Sequence, residues 1–157
     1  MNEFLLAYSV TLPLITKTDN KITKILLHRR QNTGYNDGKW DLAGGGRVDS
    51  GETPQDALVR ECNEELGIAV SKEDITFAHL SHRFIINFQR VYYDIYFTVS
   101  KYTGLPYIRE PDKCSELEWF DIDDLPNDLI EQRKMAIQAH KNGIYYSEVI
   151  DNFRKKI

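Results

Sequence analysis

Cysteine is scarce in this chain. Cys62 and Cys114 are too few for a disulfide framework, so a reducing, cytoplasmic setting is the default expectation. Long apolar runs are missing too: no stretch approaches the ~18 residues that a membrane-spanning helix needs. Met1 to Leu6 carries no basic region ahead of its apolar residues, which argues against a secretory leader. Positive charge is in the minority, with 20 Lys and Arg against 24 Asp and Glu, so the broad basic field of a nucleic-acid binder is not expected. Internal repeats and low-complexity tracts are lacking. What is present, 157 residues of which 41% are hydrophobic, suits a single domain over residues 1–157 around one sizeable core.

The most informative stretch runs from Gly46 to Ile68. Thr53 can cap a helix, Pro54 fits its first position, and Asp56 stands where a capping box needs a side-chain acceptor. Gly67 suits the left-handed residue just past a helix end. A helix is therefore predicted from Pro54 to Leu66. At about 100° per residue, Leu58, Val59, Cys62 and Leu66 share an apolar stripe, while Asp56, Arg60 and Asn63 point to solvent. Glu61, Glu64 and Glu65 border the stripe within one arc, where they repel one another. Two of them also sit in the last turn, against the helix dipole. A solvated acidic face is the ordinary reading of such a pattern. The position at the core edge, the dipole and the preceding glycine loop favour a bound hard cation instead.

These residues carry a family resemblance. Gly46, Glu52, Arg60-Glu61, Cys62, Glu64-Glu65, Gly67 and Ile68 stand in the order and spacing of the Nudix box, Gly-x5-Glu-x7-Arg-Glu-U-x-Glu-Glu-x-Gly-U, where U is a bulky aliphatic residue. Cys62 at the first U is the one departure, and a buried cysteine packs as a small hydrophobe. The resemblance implies an α/β/α sandwich, a mixed β-sheet between helices. It implies hydrolysis of a nucleoside diphosphate linked to a group X, with Mg²⁺ or Mn²⁺ as cofactor. Glu61 and Glu65 would be metal ligands, with Glu64 joining them or acting as base, while Glu52 and Arg60 orient the set. A backbone carbonyl of Gly45 or Gly46 would also face the metal. Family members commonly have Pro-Gly-Gly here, whereas this chain has Ala43 and an additional glycine, which leaves the choice between the two open. The expected substrate is a nucleoside triphosphate, as in MutT-like members, with ADP-ribose or another dinucleotide as the alternative. A non-catalytic nucleotide-binding module is a third reading. The expected partner is a small nucleotide, with no nucleic-acid polymer and no membrane; a homodimer stays open.

The remaining chain is less specific. Phe4 to Thr16 reads as a strand, and Pro13 within it suggests an edge or interrupted one. Lys17 to Lys21 reads as a turn, and Ile22 to His28 as the partner strand. Arg29-Arg30 is taken as a solvated strand end rather than a phosphate contact. Gln31 to Lys39 is a loop leading to Trp40-Asp41-Leu42, where the resemblance implies a short strand. Ile75 to Phe84 and Arg90 to Val99 read as strands, the second alternating around Val91, Tyr93, Ile95, Phe97 and Val99; its aromatics are assigned to packing rather than to base stacking. His79 and His82 are expected to be ordinary strand or loop residues. Trp119-Phe120 reads as a short strand and Leu129 to Asn142 as a closing helix. By the same resemblance Glu116 is a candidate further acid near the metal, with a solvated acidic loop as the competing reading.

Overall fold

The computed structural model describes residues 4–152. Met1 to Glu3, part of the stretch that bears on a leader, lie outside the described residues. Among the described residues no helix is long and apolar enough to cross a membrane.

The architecture turns on one long strand, β1 (Ala7–Asp19). Over Ala7 to Ile15 it pairs in parallel with β6 (Arg90–Val99), and over Thr16 to Asp19 it pairs antiparallel with β2 (Ile22–Arg30). A two-residue strand, β4 (Gly46–Arg47), joins β1 at Val10 and Thr11. Pro13, which has no N–H to donate, falls in the gap between the β4 and β2 pairings. The strand is therefore central rather than an edge, and the proline marks the point where its neighbour changes. Asn20 and Lys21, both at positive φ, make the tight turn to β2, so the strand runs further into the polar cluster than its composition suggests.

From that fork the sheet has two arms. One comprises β2, β3 (Trp40–Leu42) and β7 (Cys114–Asp121), in which β7 is longer than the predicted Trp119-Phe120 strand. The other comprises β6, β5 (Ile75–Ile85) and β8 (Tyr146–Asp151). The strand β8 lacks a clear apolar alternation and was not expected.

Helix α1 (Pro54–Leu66) covers one face of the sheet. Its Leu58, Cys62 and Leu66 pack with Ile15, Leu26, Ala43, Phe97 and Val99. Helix α2 (Glu131–Lys141) covers the other, where Ala136 and Ile137 meet Leu12, Leu14, Ile25, Leu27, Trp40 and Tyr96. Alternate residues of β2 and β6 thus enter different cores, so both faces of these strands are buried. This is the expected α/β/α sandwich. The simple inside–outside alternation read for β6 is corrected: Asp94 and Tyr96 are as buried as Phe97 and Val99.

Asp94 is part of a buried ionic network that ties α2 to the sheet. Arg133 reaches from α2 to Asp41 at 2.8 Å and Asp94 at 3.3 Å, while Arg83 of β5 binds Asp94 at 2.6 Å and Asp151 at 3.3 Å. Arg30 meets Asp41 at 3.0 Å. Arg30 is therefore no solvated strand end; its guanidinium also donates to the Tyr35 carbonyl and Thr33. Burial alone would raise the Asp41 pKa, yet Arg133 and Arg30 hold it down at about 2. Removing one member leaves buried charge without its partner. Arg133→Ala is expected to destabilise the protein by roughly 3–5 kcal/mol, whereas Lys141→Ala, which breaks an exposed pair with Asp123, costs under about 1 kcal/mol. Urea denaturation of the two variants against wild type checks the contrast.

Candidate active site

Where the two arms diverge from β1, a cavity of about 720 Å³ opens. Its walls come from all the elements around the fork: Val10 of β1, His28 and Arg30 of β2, Asp41 of β3, Arg83 of β5, Tyr92 of β6 and Arg133 of α2. The C-terminal half of α1 contributes Glu61, Glu64 and Glu65, and the loop before it contributes Gly45 and Gly46.

The helix carrying the acids is held as its sequence requires. Thr53 accepts from the Asp56 N–H while Asp56 accepts from the Thr53 N–H, a complete capping box. Gly67 closes the other end at φ 67°. The negative charge near that end is not left unopposed. A strap formed by residues 102–113 crosses it, with the N–H groups of Tyr107 and Arg109 donating to the Leu66 and Glu65 carbonyls. The Arg109 guanidinium donates to the Asn63 carbonyl at 2.8 Å. Part of the compensation assigned to a cation on sequence grounds is thus supplied by a distant loop.

Arg60 supplies more of it. Its guanidinium is clamped by Glu52 through Nε at 2.6 Å and Nη2 at 3.0 Å, donates to the Arg47 carbonyl, and meets Glu61 at 2.9 Å and Glu64 at 3.2 Å. Rather than pointing to solvent, it threads the acids together. Glu52 does not line the cavity; it fixes the arginine that positions those that do.

Burial decides the electrostatics of the remaining acids. Desolvation raises the Glu61 pKa despite the Arg60 contact. Glu65 is pushed up to about 8, first by burial and then by the Glu61 charge, although it accepts the Gly44 N–H at 3.0 Å. The glycine loop lies close against these groups: a methyl on Gly46 would occupy the space of the Glu61 carboxylate, and one on Gly45 would lie 2.9 Å from the Thr11 carbonyl oxygen. Among the described residues no three carboxylate, imidazole or thiolate groups converge into a preassembled metal cage, because Arg60 holds Glu61 and Glu64. The donor chemistry nevertheless fits a hard divalent cation, with carboxylates raised in pKa by burial and crowding beside glycine backbone at close approach.

Glu116 lies elsewhere. It pairs with Arg29 at 2.7 Å on the β7–β2 ladder and does not line the cavity. Glu110, held by Lys113 at 3.2 Å, does line it, and its charge adds to the upward shifts of Glu61 and Glu65. Both lie in the same acidic stretch, and only the course of the strap distinguishes them. His79 is buried in the sheet, bonded to the Ile144 carbonyl and Ser147.

A family model for the NUDIX domain matches residues 6–140. The chain belongs to this family. It is 49% identical over 51 residues to an uncharacterized Nudix hydrolase of Rhodococcus erythropolis, a segment covering 29% of this chain and 25% of that relative's length. A MutT NUDIX hydrolase of Burkholderia pseudomallei shares 28% identity at a TM-score of 0.75, covering 85% of this chain and 97% of the other. The NUDIX domain of Shewanella oneidensis NrtR, solved with ADP ribose, shares the fold at 16% identity and a TM-score of 0.71, covering 90% of each chain. The Nudix box accordingly spans β4, α1 and its capping glycine, with the hydrophobic Cys62 position buried against Gly44.

The Glu65 shift has a thermodynamic consequence. The folded, metal-free protein holds this proton up to about pH 8, whereas an unfolded chain releases it near 4.5. The folded state therefore binds more protons in that window, and the contribution of this group to stability falls as pH rises through it. Below the window Glu65→Gln and wild type should be equally stable. Above it the variant should be more stable by on the order of 1–3 kcal/mol. Denaturation in chelator from pH 4 to pH 9 measures the divergence; a variant less stable than wild type at high pH would make the carboxylate a structural partner.

Proposed function

We propose that the chain is a pyrophosphohydrolase, cleaving the phosphoric anhydride bond of nucleoside diphosphate-linked compounds, with nucleoside triphosphates as the favoured class. The observation that carries this reading is the convergence of Glu61, Glu64 and Glu65 beside the glycine loop on one cavity, organised by Arg60 and Glu52. The likeness to a MutT hydrolase along 97% of that chain supports the triphosphate class.

Glu61 and Glu65 would hold Mg²⁺ or Mn²⁺, with a carbonyl of Gly45 or Gly46 and with Glu64 or Glu110 at the margin. Such an ion, when bound, neutralises phosphate oxygens and lowers the pKa of water. The chain's own residues do the rest. Arg60, anchored on Glu52, holds Glu61 and Glu64 at the edge of the cavity and so positions both carboxylates. Glu64, with 54% of its side chain exposed, is the acid best placed to take a proton from water entering from the open side. Arg47, Arg90 and Lys113 on the lining can draw a polyanion toward the carboxylates.

ADP-ribose is the second reading, favoured by the ADP ribose complex of the NrtR domain with the same fold. A nucleotide-binding module without turnover is the third, and the intact set of acids speaks against it.

Turnover of a panel of nucleoside triphosphates and ADP-ribose with Mg²⁺, with products identified by mass, tests the proposal and separates the substrates. Activity should vanish in chelator and return with Mg²⁺ or Mn²⁺. Glu64→Gln should lower kcat roughly 10²–10⁴-fold. Glu61→Gln and Glu65→Gln should lower kcat by orders of magnitude and lose the Mg²⁺-dependent rise in melting temperature. Full-rate turnover in chelator would remove the metal from the mechanism.

A further inference from the structure

The walls of the cavity away from α1 present a different chemistry from the carboxylates. Arg30, Arg83 and Arg133 are matched by Asp41, Asp94 and Asp151, so within this network three cations meet three anions and little of their charge is left to attract another phosphate. The exposed Arg90, two residues before Tyr92, lies instead over the Tyr8 and Phe88 rings. Their guanidiniums are fixed by bonds inside the network. Tyr35 and Tyr92 line the same region, with the Arg83 guanidinium 4.7 Å from the centre of the Tyr92 ring. Flat, polar and close to neutral, this surface suits an uncharged planar group more than an anionic one.

One side chain there is left unsatisfied. His28 lines the cavity and is only 8% exposed, and its Nε2 is sheltered from water with no hydrogen-bond partner among the described residues. A buried polar atom without a partner destabilises the fold, and a functional cavity is where such a defect is retained. Desolvation first, then the charges of Arg30 and Arg133, lower the imidazole pKa against the pull of Asp41, so the ring is neutral near pH 7 and can either donate or accept.

We propose that His28 is a specificity-determining residue whose imidazole hydrogen-bonds the edge of a nucleobase seated against Tyr35, Tyr92 and the paired arginines. A small rotation of the ring, of the kind side chains commonly make on binding, presents Nε2 to the base. The inference rests on the nucleotide reading of the cavity and places the base on walls distinct from the phosphate-facing acids.

The test separates it from hydrolysis. Wild type is titrated with adenosine, guanosine, cytidine and uridine, with ribose as the base-free control, while the ¹⁵N resonances of the His28 ring are followed. At least one nucleoside should shift them and ribose should not. For that nucleoside, His28→Leu should weaken binding tenfold or more and His28→Gln should restore part of the loss. His28→Leu without ligand should melt no lower than wild type, since it removes an unsatisfied atom. If no nucleoside moves the His28 signals, or His28→Leu binds as wild type does, the assignment is overturned. A protein whose His28 responds to a nucleoside but which hydrolyses no nucleotide with Mg²⁺ would sustain the base site and defeat the pyrophosphohydrolase reading.

Discussion

Three glutamates crowd one border of a helix within five residues, and the rest of the site is built to tolerate that repulsion. Arg60 bridges two of them, Glu52 immobilises Arg60, and the strap from residue 102 to 113 caps the carbonyls at the helix end. Even so, burial and then the Glu61 charge push the Glu65 carboxyl up to about 8, well above an ordinary carboxylate. The fold stores an unfavourable concentration of negative charge at a fixed place, beside backbone stripped of side chains. Such an arrangement has the donor chemistry that suits a hard divalent cation.

The sheet makes room for it. A continuous eight-stranded layer would leave no space between α1 and α2, because both helices press apolar stripes onto it. The change of partner along β1, from β6 through Ile15 to β2 from Thr16, opens the layer into two arms, with Pro13 just before it in the gap between β4 and β2. Side chains from α1 and from α2 can then line one cavity although the helices cover opposite faces. The opening exposes polar groups that a closed core would have excluded. The buried Arg83–Asp94–Arg133–Asp41 chain holds the arms and α2 in register across it. That network contributes order and specificity of packing, since burying its charges cancels much of the Coulomb attraction they gain.

Two electrostatic regimes therefore share one cavity. On the α1 side acids outnumber their partners, and on the β2, β5 and α2 walls every arginine has an aspartate. With the proposed cation on the acids, a substrate with a polyanionic end and an uncharged planar end would match that asymmetry, which the formal net charge of −4 averages away.

By itself the sequence determined α1 almost to the residue, because capping and apolar periodicity are local: Thr53, Pro54, Asp56 and Gly67 act on their own neighbours within a turn. The three acids were legible for the same reason, since helical spacing alone puts Glu61, Glu64 and Glu65 on one border, whereas Arg60, which the same spacing assigns to solvent, is turned onto Glu61 by its clamp on Glu52. Long-range pairing was not legible. Pro13 suggested an edge or interrupted strand because its missing N–H could not be matched to a partner without knowing where β4 ends and β2 begins. The strand β8 was invisible because its exposed residues alternate tyrosine, glutamate and isoleucine, which carry no consistent polarity. Glu110 and Glu116 are equally acidic neighbours in sequence, and only the path of the strap turned one into the cavity and the other toward Arg29. Arg30, Arg83, Asp94 and Arg133 are spread over more than 100 residues, and charges so distant meet only when burial makes their pairing obligatory. That condition is set by the tertiary structure.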